Sequence, residues 1–68
     1  MENTIRYAIY SKHKSFKRAK FVGVSTDDFE EAKNIVEHQR TLQYIKLCYD
    51  WFKVKDTVTK KYVYEVIL

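Results

Sequence analysis

The feature that most constrains this chain is a single strong helix signal placed between two pairs of strand-like runs. Ser25-Thr26-Asp27-Asp28 offers short oxygen-bearing side chains to the unpaired amides of a first helical turn. Asp28 with Glu31 has the spacing of a capping box, and Asp27, Asp28, Glu30 and Glu31 sit where the positive end of a helix dipole favours acid. Phe29, Ala32, Ile35 and Val36 then form an apolar stripe at helical spacing. The helix is expected to end between His38 and Leu42, although no glycine or proline stands there to stop it.

The flanking runs read as strands. Thr4 to Ser11 and Arg18 to Ser25 are rich in β-branched and aromatic residues, and the polar segment between them, with Lys12, His13, Lys14, Ser15 and Lys17, is short enough to make an antiparallel hairpin. Gly23, the one glycine, marks a bulge or a close backbone approach. From Tyr44 two periods compete. Ile45, Leu47, Tyr49 and Trp51 alternate as a strand, while Ile35, Leu42, Ile45, Tyr49 and Phe52 suit a continued helix. The strand is favoured because Lys61 to Leu68 follows closely enough to pair with it across a turn at Asp56 to Lys60. Phe52 and Val54 break the earlier alternation, and a bulge near Asp50 reconciles the two phases.

The expected fold is therefore α+β, in the order ββαββ, with a four-stranded, mostly antiparallel sheet and one helix packed on one face. All 68 residues form one domain on this reading, because the chain is too short to divide its core. Its 46% hydrophobic and 16% aromatic content argues for a packed core rather than disorder. One helix covers one side of the sheet. The other side is then solvated, buried in a dimer or used for binding.

Catalytic chemistry finds little support in the residues. His13 and His38 have no second histidine or cysteine at metal-ligand spacing, and both read as surface side chains. Glu30 and Glu31 are adjacent on a helix and so point apart, and capping accounts for them. A lone glycine makes no phosphate loop. Cys48, the only cysteine, excludes an intramolecular disulfide and reads as a half-buried thiol. No catalytic residue, metal or cofactor is expected, and the chain is read as non-enzymatic. The segment Met1 to Tyr7 lacks a secretory signal, no run approaches membrane-spanning length, and a cytosolic location is expected.

Charge is more informative. The net charge of +4 is uneven: Met1 to Val24 carries six basic residues against one acidic, Ser25 to Gln43 two against five, and Tyr44 to Leu68 five against three. Lys12, Lys14, Lys17, Arg18 and Lys20 crowd the first hairpin, which topology places at the opposite end of the sheet from the second turn and the acidic helix start. Lys60 and Lys61 are expected to pair with those acids.

Two binding surfaces follow: the basic hairpin, and an aromatic sheet face read as Tyr7, Tyr10, Tyr62 and Tyr64. Tyr49, Trp51 and Phe52 form the densest aromatic cluster and are assigned mostly to the core. The C-terminal run ends in apolar residues, either in the core or at a dimer seam. The leading expectation is a protein-binding module acting through its open sheet face and basic hairpin. In style the chain is similar to the short accessory or inhibitory proteins of phages and other mobile elements, some of which block host enzymes. The alternative is nucleic-acid binding, with the hairpin cations on phosphate and Tyr7 or Tyr10 stacking on a base. A homodimer is compatible with either.

Overall fold

The structure is a computed structural model, and it describes residues 6–68. The elements run β1 (Tyr7–His13), β2 (Lys20–Thr26), α1 (Phe29–Gln39), α2 (Gln43–Cys48), β3 (Tyr49–Asp56) and β4 (Lys61–Ile67). The four strands form one antiparallel sheet in the order β2-β1-β3-β4. The expected α+β architecture is present, with a short second helix added; the part of the first expected strand before Arg6 lies outside the described residues.

Alternation along β3 explains which side is covered. Phe52, Val54 and Asp56 are buried beneath α1, and Trp51, Lys53 and Lys55 point to the opposite side. Ile9 of β1 and Val66 of β4 join Phe52 and Val54, and Ala32 and Val36 of α1 close the core from above, with Ile45 of α2 at one end. Phe29 and Ile35, also in the expected stripe, are only half-buried.

The start of α1 is built as the sequence implies, with one change. The Asp28 carboxylate accepts from the amides of Glu30 and Glu31 at 2.9 and 3.4 Å. Glu31 does not return the bond to Asp28; instead the Thr26 hydroxyl donates to Glu31 and accepts from the Asp28 amide. The helix ends at Gln39 without glycine because Arg40 and Thr41 close short i→i+3 bonds to Glu37 and His38, and the Thr41 hydroxyl also donates to the His38 carbonyl at 2.7 Å.

Residues 44–48 differ from the strand expected from Tyr44 onward. They lie within α2, and the strand begins only at Tyr49. The cause is the length of the neighbouring strand: His13 pairs with Tyr49, and the chain then turns away, with the Lys14 amide donating to the Cys48 carbonyl at 2.9 Å. Upstream of Tyr49 no strand partner remains among the described residues, and a helical turn satisfies the backbone while burying Ile45. The competing helical spacing of Leu42, Ile45 and Tyr49 is the one that packs.

Both expected bulges are present. Trp51 pairs with Lys12 and Tyr49 with His13, so Asp50 is the extra residue. In β2 the register passes from Ser25 to Phe21 while β1 advances only from Ala8 to Tyr10, and Gly23 at the centre of this irregularity has φ +95°. A third bulge in β4, at Val63, has no counterpart in the sequence reading: Val54 pairs with Tyr64 and Lys55 with Tyr62.

Candidate functional site: an aromatic and cationic sheet face

The third bulge decides which tyrosines share a face. Without it Tyr62 and Tyr64 would lie on the same side of β4; with Val63 inserted, Tyr62 joins Lys55 on the uncovered side and Tyr64 joins Val54 under α1. The expected aromatic face therefore divides. Tyr10 and Tyr62 occupy the open side, whereas Tyr7 and Tyr64 both pack against Phe29 on the helix side, at 5.5 and 6.2 Å between ring centroids. The Tyr64 hydroxyl donates to Glu37, which holds the phenol neutral and pushes its pKa up. Tyr7 and Tyr64 belong to the packing of the domain, not to its open face.

In their place the open face gains Phe21 and Trp51. The ring of Tyr10 lies 5.7 Å from Phe21 on one side and 6.1 Å from Tyr62 on the other, and Tyr62 lies 6.0 Å from Trp51. The Tyr10 and Tyr62 rings meet over β3, the strand between their own. Lys53 stands 4.4 Å from the Trp51 centroid and 5.1 Å from that of Tyr62, and Lys55 stands 5.3 Å from Tyr10. The result is a continuous band of four rings and two ammonium groups across all four strands. Phe21 and Tyr62 keep 52% and 45% of their surface exposed, and Ile67 of β4, opposite Trp51, keeps 59%. The Tyr49, Trp51 and Phe52 cluster is split by the sheet: Phe52 is buried, Tyr49 packs on it at 5.1 Å, and Trp51 faces away.

The basic hairpin is also smaller than its sequence suggests. Lys12 is drawn back onto the sheet, where its ammonium donates to the His13 carbonyl at 2.8 Å and pairs with Asp50 at 3.6 Å. Lys14, Lys17 and Arg18 are exposed in the connection between β1 and β2, and Lys20 lies over the ring of Phe16 at 4.3 Å. None of these four reaches a carboxylate among the described residues.

The second turn sits at the other end of the sheet, beside the start of α1, because Asp56 and Thr26 both pair with Tyr7. The expected pairing of Lys60 and Lys61 with the acids of α1 is not formed among the described residues. The ion pair at this end joins Arg6 to Asp56 at 2.9 Å. The Arg6 guanidinium lowers the Asp56 pKa below the ordinary carboxylate range against the opposing effect of desolvation, helped by the amides of Val58 and Thr59. The same contact raises the pKa of Arg6.

Of the remaining sequence candidates, His38 and Glu30 and Glu31 are exposed on α1, and Cys48 is a half-buried free thiol. His13 is half-buried rather than solvated: it lies 4.8 Å from Tyr49 and 5.2 Å from Phe16, and its Nδ1 accepts from the Ser15 amide. Among the described residues, no three His, Cys, Asp or Glu side chains gather as metal ligands would, and no helix is long and apolar enough to cross a membrane.

Fold and site together define a small α+β domain with one open antiparallel sheet whose uncovered side is aromatic and cationic. No protein family, curated protein or solved structure matches the chain.

Proposed function

We propose that this chain is a non-enzymatic protein-binding module that docks its open sheet face on a protein surface with an apolar centre and an acidic surround. The observation that carries the reading is the band formed by Phe21, Tyr10, Tyr62 and Trp51 with Lys53 and Lys55 over the rings. Large rings held by their neighbours lose little side-chain entropy on binding, and aromatic anchors ringed by polar groups are the usual composition of energetic centres in interfaces. The lysines select for an acidic counterpart, and the cations of the first hairpin that reach no carboxylate among the described residues extend that preference beyond the face and speed encounter. Such a module acts by occupying a surface, which suits an accessory or inhibitory protein.

The nucleic-acid reading is weaker on this geometry. Base stacking requires an open ring face, but Tyr10, Trp51 and Tyr62 present edges to one another and carry lysines over their faces. Lys12 is paired with Asp50, which reduces the charge that the first hairpin has free to meet phosphate.

The test compares three proteins in capture from a cell extract: the wild type, a Phe21→Ser/Tyr62→Ser double variant, and a Lys14→Glu/Lys17→Glu/Arg18→Glu hairpin variant. A partner that purified wild type binds directly, that the face variant loses, and whose affinity for the hairpin variant falls mainly through a slower on-rate supports the reading. In parallel, labelled single- and double-stranded DNA and RNA are titrated at ~50 and ~200 mM salt, where phosphate-driven affinity falls steeply. Salt-sensitive binding abolished in the hairpin variant, with the face variant unaffected, overturns the protein reading in favour of nucleic acid.

A further inference from the structure

On the helix side, behind the basic hairpin, a cleft of about 340 Å³ lies between the end of β1, the start of β2, the last turn of α1 and α2. It is within the range of roughly 300–1,000 Å³ typical of small-molecule sites. Its wall is almost continuously aromatic. Phe16, His13, Tyr49 and Phe52 follow one another at 5.2, 4.8 and 5.1 Å between centroids, and Phe21, Val22 and Ile45 complete the apolar lining.

Ser11 and Lys20 bring polar groups to this lining, beside His13 and Gln39. Ser11 is 8% exposed, yet its hydroxyl has no hydrogen-bond partner among the described residues and borders the cleft. No buried side-chain polar atom among the described residues lacks a partner, so the Ser11 hydroxyl is open to the cleft, where solvent or a bound molecule can meet it. Lys20, across the sheet from Ser11, holds its ammonium 4.3 Å from the Phe16 centroid and pairs with no carboxylate among the described residues. His13 adds a donor. Its Nδ1 accepts from the Ser15 amide, so the proton of the neutral ring sits on Nε2.

We propose that this cleft is a binding site for a small organic acid with an aromatic or branched aliphatic body. The body lies on the rings of Phe16, Tyr49 and Phe52, and the carboxylate meets the Lys20 ammonium with the Ser11 hydroxyl as a second donor. The cleft opens on the helix side of the sheet, away from Tyr10, Tyr62 and Trp51, although Phe21 borders both it and the aromatic band.

The test uses phenylacetate and its neutral analogue phenylacetamide as probes, followed by two-dimensional NMR of the full chain. Phenylacetate is expected to give saturable shifts at Ser11, His13, Phe16 and Ile45, with the amide binding about tenfold more weakly for want of the charge-assisted bond. Lys20→Gln, a change at an exposed side chain, should weaken phenylacetate about tenfold while leaving the spectrum folded, and Ser11→Ala should weaken it by a smaller factor. The proposal is overturned if neither probe gives saturable shifts in the cleft. It is also overturned if the acid and the amide bind equally and Lys20→Gln changes nothing, or if the shifts appear instead at Trp51 and Tyr62 on the other face.

Discussion

At the scale of single residues, the Arg6–Asp56 contact makes the sharpest prediction. Asp56 is buried, accepts from Arg6 and from the amides of the second turn, and has a lowered pKa. A carboxylate with a folded pKa below its unfolded value, about 3.9, contributes stability that is complete above that value and is lost as pH falls through the folded pKa. Melting temperatures measured from pH 7 down to pH 2 should therefore drop on the acid side, and Asp56→Asn should flatten that drop while lowering the neutral-pH melting point by several degrees. An unchanged acid limb in the variant would show that the pair is not linked to folding. Gly23 makes the second prediction. Nothing among the described residues lies within 4 Å of where its Cβ would be, but φ +95° is strained for any L side chain. Gly23→Ala should thus cost about 1 kcal/mol or more through the backbone alone, read as a shift in the urea midpoint with an unchanged slope.

At the scale of elements, the stripe of α1 and the alternation of β3 carry the core, and each can be tested by one truncation. Ile9 is 1% exposed at the centre of β1, and Ile9→Ala should cost about 2 to 5 kcal/mol, against a total stability on the order of 3 to 10 kcal/mol for a chain of this size. Equilibrium unfolding should find this variant at or near the edge of folding, whereas Asp28→Ala, which removes only the cap of α1, should lose about 1 kcal/mol and stay folded. These elements were legible in the sequence because their signals are local: a cap, a helical stripe, a glycine, and a phase change at Asp50. Placing Tyr7 with Tyr10 on one face was an avoidable error, since residues three apart on a strand point to opposite faces. What was not legible was set by neighbours. Nothing in Tyr62-Val63-Tyr64 announces a bulge, and the end of β3 at Tyr49 depends on where β1 turns away. The open face could not be composed from sequence because its four rings come from four strands whose order becomes evident only in the sheet.

At the scale of the whole molecule, charge and exposed apolar surface are arranged along different directions. Positive charge gathers at the hairpin end, near the C-terminal end of α1, and the acids of α1 gather at the other end, while the aromatic band crosses the sheet between them. This arrangement bears on whether the open face is satisfied by a second copy of the chain. A two-fold pair of such faces would bring the Lys53 and Lys55 of one copy toward the same lysines of the other, with Glu65 as the acidic group paired to Lys53 on that side. Two like-charged faces lose Coulomb energy on approach, and salt relieves the loss by screening. The domain should therefore sediment as a single chain at ~150 mM salt, with any self-association strengthening as salt is raised. Association with an acidic partner should weaken as salt is raised, because there the same lysines attract. Measuring both against one salt series separates the cases. A tight dimer at low salt, abolished by the Phe21→Ser/Tyr62→Ser variant, would assign the face to self-association. A monomer throughout, together with salt-weakened binding to a captured partner, would leave the aromatic band as the surface on which that partner is held.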